Sequence, residues 1–227
     1  AGDRGRIPVE EMASAIRPDD VHMARTRLVI LEQTSNIAGG CVLPLDYLKE
    51  VSSFCVERGL RLHIDGARIF NAGVAAGIEV SGFAACADTV MFCLSKGLGA
   101  PAGSVLAGTA EAIAEGRRLR KLLGGGMRQS GVLAACGIYA LENNIERLRE
   151  DHLHAAELAR RLEALDLAGL RVSSPDTNMV FLAWDGDDPD RYPDFSNTLR
   201  SAGLLVVGLP GRGVRIVYHK DVDDDAA

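Results

Sequence analysis

The segment Cys93–Ser104, CLSKGLGAPAGS, sets one lysine, Lys96, between an apolar run and a cluster of three glycines and one proline. The run DTVMFCLS (88–95) predicts a buried strand, so Lys96 falls where that strand ends and the chain turns. GSVLAGT (103–109) predicts the next strand, and RLVILE (27–32) and RLHID (61–65) predict two more upstream. Between the upstream pair, LDYLKEVSSFCVERGL repeats Leu48, Val51, Phe54 and Cys55 at helical spacing. Asp46 suits the start of that helix and Gly59 its end. Strands separated by helices predict an α/β layer with a mostly parallel sheet.

Downstream, LLGGGMRQSG (122–131) reads as a glycine-rich loop. One helical stretch is expected from about Val132 to Leu165, with Leu141, Ile145, Leu148, Leu158 and Leu162 in 3-to-4 spacing. LRVSSPDTNMVFLAW, GLLVVGL and GVRIVYH then read as strands. A domain change is expected within 145–155, dividing 1–148 from a smaller C-terminal α/β domain at 149–227.

The 227 residues are 47% apolar and 25% charged, a globular composition of one large or two smaller domains. The net charge of −6 and scattered basic residues argue against a nucleic-acid partner. The densest basic run, GRRLRK (116–121), reads as a solvated helix face. Cys41, Cys55, Cys86, Cys93 and Cys136 form no C-x-x-C pair and sit among apolar neighbours. They read as small buried hydrophobes in a reducing compartment, so a cytoplasmic location is expected. No apolar stretch approaches the ~18 residues of a membrane span, and no signal peptide is apparent. The opening AGDRGRIPVEEM lacks a methionine start, and the closing HKDVDDDAA suits a helix N-terminus with no helix after it, so a fragment is expected.

In HIDGARIF, Asp65 follows directly on an apolar strand, and ligands of open α/β sheets bind beyond the carboxyl ends of their strands. Asp65 caps the following helix, pairs with Arg68, or faces a ligand cation; Arg68 could grip a carboxylate in the same crevice. Lys96 repeats that position 31 residues later, and Gly97 and Gly99 let backbone approach a ligand. A lysine after a strand is, by itself, more often a solvated charge. Aspartate and lysine at two strand ends together suit pyridoxal phosphate, the lysine taking its aldehyde and the aspartate keeping its ring nitrogen protonated. Arg215 lies within an apolar strand and needs an anionic partner; a structural ion pair and a substrate carboxylate are equally open. Arg128 stands on the GGGMRQ loop, whose amides could meet a phosphate or simply begin a helix.

GLGAPAG imitates a dinucleotide fingerprint, but its G-x-G-x-x-x-G spacing leads into a strand rather than a helix. No P-loop motif occurs, His63 reads as a packed core histidine, and no Cys/His cluster offers a metal site.

Taken in order, LEQTSNIAGGCVLPL, HIDGARIFNA, CLSKGLGAPAGS, LGGGMRQSGVLAA, TNMVFL and VRIVYHKDV make the chain resemble the threonine aldolase family of fold-type-I pyridoxal phosphate enzymes. The resemblance covers nearly the whole chain. It implies that Lys96 carries the cofactor's Schiff base and that Asp65 pairs with the pyridine nitrogen. Arg68 and Arg215 would bind the substrate carboxylate, and Arg128 the cofactor phosphate across the interface of a homodimer or homotetramer with shared sites. Family members are longer, and the part this chain lacks, mostly N-terminal, supplies a phosphate loop and a stacking aromatic. Members commonly have a histidine near the substrate hydroxyl, in ENTHN, where this chain has Ser35 in EQTSN. A hydroxyl is no general base near neutral pH.

The expected activity is cleavage of threonine, allo-threonine or a related β-hydroxy-α-amino acid to glycine and an aldehyde. The alternatives are another fold-type-I reaction (β-elimination, racemisation or transamination) and a truncated, non-catalytic fragment.

Overall fold

The computed structural model describes residues 2–186, 191–209 and 212–223. Four strands form the first sheet in the order β1 (Leu28–Glu32), β2 (Arg61–Asp65), β3 (Thr89–Cys93), β4 (Ser104–Gly108). β1, β2 and β3 run parallel, with Glu32 opposite Asp65 and Asp65 opposite Met91. β4 returns antiparallel along β3, with Cys93 opposite Ser104. The carboxyl ends of β2 and β3 are therefore neighbours at one end of the sheet; Asp65 is the last residue of β2, opposite Met91, and Lys96 follows three residues after β3.

Helix α1 (Val9–Ala15) precedes the sheet, and α2 (Leu45–Glu57) crosses from β1 to β2. Its Leu48, Val51, Phe54 and Cys55 pack with Leu31, Leu62, Ile64 and Val90 in the first core, as the helical spacing predicts. Pro44 begins this helix, Asp46 lies in its first turn, and it ends at Arg58, just before Gly59. Helices α3 (Ile69–Ala76) and α4 (Val80–Ala84) carry the chain to β3, adding Ile69, Ala72 and Phe83 to the same core.

Helix α5 (Ala110–Leu122) follows β4 and exposes Arg117, Arg118 and Arg120, the solvated basic face expected. The expected single helix from Val132 to Leu165 is two, α6 (Gly131–Asn143) and α7 (Leu148–Ala164). The break falls at Asn144, whose side-chain Nδ2 donates to the carbonyl of Leu98 at 2.7 Å. Asparagine is a weak helix former, and this one spends its amide on the loop that carries Lys96.

The second sheet is antiparallel, in the order β5 (Leu170–Val172), β6 (Met179–Trp184), β8 (Gly213–Val217), β7 (Val207–Leu209). LRVSSPDTNMVFLAW therefore holds two strands, parted at Pro175, a residue that cannot donate to a ladder. Only the end of GLLVVGL is strand. Helix α8 (Arg191–Ser201), for which the sequence reading had no helix, packs Tyr192, Phe195 and Leu199 against this sheet. Ala155 and Ala159 of α7 complete that second core with Val180, Leu182 and Val214. The acidic tail Asp224–Ala227 lies outside the described residues.

All five cysteines are free thiols; Cys41, Cys55 and Cys86 are buried, and Cys93 and Cys136 are partly so. His63 is half-buried in its strand, with Nδ1 2.8 Å from Thr89 Oγ1. Among the described residues no helix is long and apolar enough to cross a membrane, and no three His, Cys, Asp or Glu side chains are grouped to hold a metal.

Candidate active site

A third, smaller core seats the lysine. Leu94, Leu98 and Ala100 pack with Ala140 of α6 and Leu148 of α7, so the loop after β3 is anchored by alternate apolar residues while Lys96 is left exposed. Backbone bonds close the loop: Gly99 N–H donates to Lys96 O at 2.8 Å, and Ala100 N–H to Leu94 O at 2.9 Å. Gly97 has no room for a side chain: a Cβ there would lie 2.8 Å from Leu148 Cδ2 and 3.2 Å from Asn71 Oδ1. Gly99 has φ +71°, a conformation that L side chains rarely adopt, and the Lys220 stem crosses its α-carbon.

Asn71 on α3 is buried, and its Nδ2 lies 3.1 Å from His152 Nε2 on α7. Burial, and secondarily the charge of Arg149, lower the His152 pKa to about 4. The ring is therefore neutral near pH 7, and Nε2 is free to accept from the amide. The Lys96 loop is thus bonded by Asn144 through Leu98 and packed by Asn71 at Gly97.

Lys96 lines a cavity of about 340 Å³ with Arg68, Gly97 and Gly99 on one wall. Asn178, Tyr218, His219 and Lys220, from the second sheet and the segment after it, form the other. Larger hollows lie elsewhere, one between α3 and the start of α7 and one beside β4, but neither reaches Lys96.

Asp65 ends β2, and its Oδ1 accepts from the Ala67 N–H at 3.1 Å. Its Oδ2 has no hydrogen-bond partner among the described residues, and no ion pair joins it to Arg68. The local turn fixes one oxygen and leaves the other for a ligand.

Arg68 and Arg215 converge on a single neutral atom. Arg215 Nη1 donates to Asn36 Oδ1 at 2.9 Å, and Arg68 Nη1 approaches the same oxygen at 3.4 Å. Asn36 is itself fixed by its N–H, which donates to Glu32 Oε2 at 2.9 Å. Neither arginine has a carboxylate within ion-pair distance among the described residues, and the buried Nε of Arg215 has no hydrogen-bond partner there. Among the described residues, the structural ion pair open for Arg215 from sequence is not made. Burial, and then the neighbouring Arg215, push the Arg68 pKa down, as expected of two cations sharing one amide oxygen.

Four residues singled out by sequence, Asp65, Arg215, Ser35 and Arg128, are not among those that line the Lys96 cavity. Ser35 is buried, but its hydroxyl packs against Gly5 and does not line the Lys96 cavity. Arg128 is exposed on the loop between α5 and α6, away from that cavity. Sequence reading assigned no role to Asn36, Asn71, Asn144, His152 or Asn178. For Asn178 the signal was present: an amide directly before the apolar run MVFLAW demands a reason.

Comparison with known proteins places this geometry. The family model described as beta-eliminating lyase matches residues 1–185. The low specificity L-threonine aldolase of Escherichia coli (strain K12) is 47% identical over 218 residues, which are 96% of this chain and 62% of that protein. The probable low-specificity L-threonine aldolase 2 of Arabidopsis thaliana is 39% identical, again covering 97% of this chain and 62% of its own length. The chain thus spans less than two thirds of these curated relatives. A crystal structure from Exiguobacterium sp. 255-15, assigned provisionally as an aromatic amino acid beta-eliminating lyase/threonine aldolase, superposes with a TM-score of 0.78 at 26% identity, over 99% of this chain and 64% of that one. The Leishmania major threonine aldolase shares the fold, with a TM-score of 0.73 at 20% identity, over 99% of this chain and 65% of that one. The fold is that of the fold-type-I pyridoxal phosphate enzymes, and on a match that runs from the first residues through both strand-end side chains and into the second sheet, the chain belongs to the beta-eliminating lyase family.

Proposed function

We propose that the protein cleaves threonine, allo-threonine or a related β-hydroxy-α-amino acid to glycine and an aldehyde, using pyridoxal phosphate. The observation that carries this reading is the Arg68–Arg215 pair, two guanidiniums on one neutral oxygen, of which Arg68 lines the cavity of the exposed Lys96. Such a pair is completed by a ligand carboxylate. The threonine aldolase relatives point to the same class of substrate.

The residues present fit the cofactor at two of its ends. Lys96 offers an amine at the cavity wall, and Asp65 offers a carboxylate at the end of the neighbouring strand. Bound there, pyridoxal phosphate supplies a carbonyl for amines and an electron sink for the breaking bond. Arg128 would reach its phosphate from a neighbouring subunit. The exposed Val132, Ile138 and Tyr139 of α6 support a homodimer or homotetramer with shared sites. We assign residues 1–148 to the cofactor-binding domain and 149–227 to the smaller one.

In this reading Arg68 and Arg215 hold the substrate carboxylate and so fix the orientation of the Cα–Cβ bond. Lys96 would hold the cofactor through its aldehyde, and Asp65 would hold its ring nitrogen. Ser35, turned toward Gly5, does not take the hydroxyl proton; water or another residue would. Incubating full-length protein with pyridoxal phosphate and threonine should release acetaldehyde. Absence of acetaldehyde with the cofactor demonstrably bound overturns the reading. Products from serine and alanine under the same conditions separate it from elimination or transamination, the reactions that Ser35 leaves open.

A further inference from the structure

Asn36 stands in a loop that the protein closes by itself. Ser35 N–H donates to Cys41 O at 2.9 Å, and Gly40 N–H returns to Ser35 O at 2.8 Å. The approach to β6 clasps the same loop. Thr177 Oγ1 donates to Gly40 O at 2.9 Å, and Asp176 Oδ2 accepts from Val42 N–H at 2.9 Å. Gly40 has φ +74°, and a Cβ there would lie 2.7 Å from both Thr177 Oγ1 and Met179 Cε, so the two parts of the chain meet here without slack. Asn36 N–H is bonded to Glu32 Oε2 at the end of β1. The Asn36 side chain is therefore carried by backbone that residues of both sheets hold.

Its Oδ1 accepts from Arg215 Nη1 at 2.9 Å, and Arg68 Nη1 lies 3.4 Å from the same oxygen. A guanidinium only donates, so the atom between the two is the oxygen and the amide cannot be turned over. Arg68 lines the Lys96 cavity and Arg215 does not. Arg215, from β8, is joined to Arg68 through this one oxygen. Like charges this close repel. The charges of Glu32 and Asp65 act on Arg68 through space, with no ion pair formed. An asparagine bridges the two guanidiniums and neutralises neither. We propose that Asn36 is the positioning residue of the substrate-carboxylate site: its neutral oxygen holds Arg215 beside Arg68 and leaves both charges for the carboxylate of the amino acid. This rests on the assignment of Arg68 and Arg215 to that carboxylate given above. Asn36 acts through the two arginines, and its neutrality is the property that matters. Asn36→Asp keeps the shape and turns the bridge into an internal competitor. It takes charge-assisted bonds from both guanidiniums, steadies the fold and shuts the substrate carboxylate out.

The test uses full-length, cofactor-loaded protein with glycine and with methylamine, an amine that lacks the carboxylate. Dissociation constants are read from the cofactor's absorbance change, and melting temperatures from thermal denaturation. The wild type should bind glycine at least about tenfold more tightly than methylamine. Asn36→Asp should weaken glycine at least about tenfold, leave methylamine within about twofold, and raise the melting temperature. Asn36→Ala removes the bridge and adds no charge. It should weaken glycine about threefold or more, with methylamine again unchanged and no gain in melting temperature. A merely structural Asn36 would shift both ligands alike in both variants, and that result overturns the inference. So does a lowered melting temperature in Asn36→Asp, since a carboxylate between two guanidiniums has bonds to gain. Whether or not that variant folds, a full glycine preference in Asn36→Ala overturns the inference and leaves the arginine assignments standing. Equal binding of the two amines by the wild type overturns the arginine assignments, and the inference with them.

Discussion

Acidification should loosen the protein through His152, and the size of the effect follows from its position. The folded ring titrates near 4, the free side chain near 6.5, with burial as the main cause and Arg149 as the second. Between those values the unfolded chain binds a proton that the folded chain does not, so stability rises with pH across the window. It is fully present above about 6.5 and lost as pH falls toward 4. At about 1.4 kcal/mol per pH unit the window is worth about 3.4 kcal/mol; the ring is partly exposed, and screening trims this to about 2 kcal/mol. Protonation also places a hydrogen on the nitrogen that accepts from Asn71, so the support beneath Gly97 goes with it. The assay is urea denaturation of full-length protein at pH 7, 5.5 and 4.5, wild type against His152→Gln, which keeps an acceptor but does not titrate. Asp151, fully buried beside Arg147, has a carboxyl that burial pushes up. Its contribution weakens as pH rises, opposite to that of His152, so the difference between the two proteins is the measurement. Wild type should lose about 1–2 kcal/mol more than the variant by pH 4.5. Parallel losses in both would refute the reasoning.

Other outcomes follow from the same cavity. Arg215→Gln should weaken carboxylate binding by about 2 kcal/mol or more, about thirtyfold in the substrate dissociation constant. The same change should leave the melting temperature unchanged or raised, because it removes one of two cations sharing Asn36; a lowered melting temperature would count against the pair as a ligand site. Gly97→Ala drives a methyl into Leu148 and Asn71 and should cost about 1–3 kcal/mol, with loss of cofactor capture seen as a missing visible absorption band. Asp151→Ala leaves Arg147 with Glu150 alone, at 3.7 Å, and should cost about 1–3 kcal/mol by denaturant titration, with much smaller effect for a change at the exposed Glu115.

The parallel strands were legible because each is a short apolar run bounded by turn residues, and α2 because its apolar face repeats from Leu48 to Cys55, about two turns. Asp65, Arg68, Lys96 and Arg215 were legible for a related reason: a charge at the end of, or inside, an apolar strand must be explained. The break at Asn144 was hidden, since the leucine spacing continues across it and only the contact with Leu98 shows why it stops. Helix α8 was missed because its apolar residues are few, with Pro193 in its first turn obscuring a helix that proline tolerates there. The asparagines were invisible as a group. Asn36, Asn71, Asn144 and Asn178 come from four separate elements, and nothing in local sequence says that their amides converge around one loop and one cavity.

That convergence changes how the site's energetics should be understood. The apolar contacts of Leu94, Leu98, Ala100, Ala140 and Leu148 fix the loop without asking anything of a ligand. The polar groups around it divide in two. Asn71, Asn144 and the Nδ2 of Asn178 are satisfied by the protein, so their bonds define the cavity's shape before anything enters it. The Nε of Arg215 and the Oδ1 of Asn178 are buried without a hydrogen-bond partner among the described residues. In the proposed reading, a substrate carboxylate would complete the arginine pair. Removing a satisfied group such as Asn144 should therefore cost stability first, and removing an unpaired one such as Arg215 should cost affinity first.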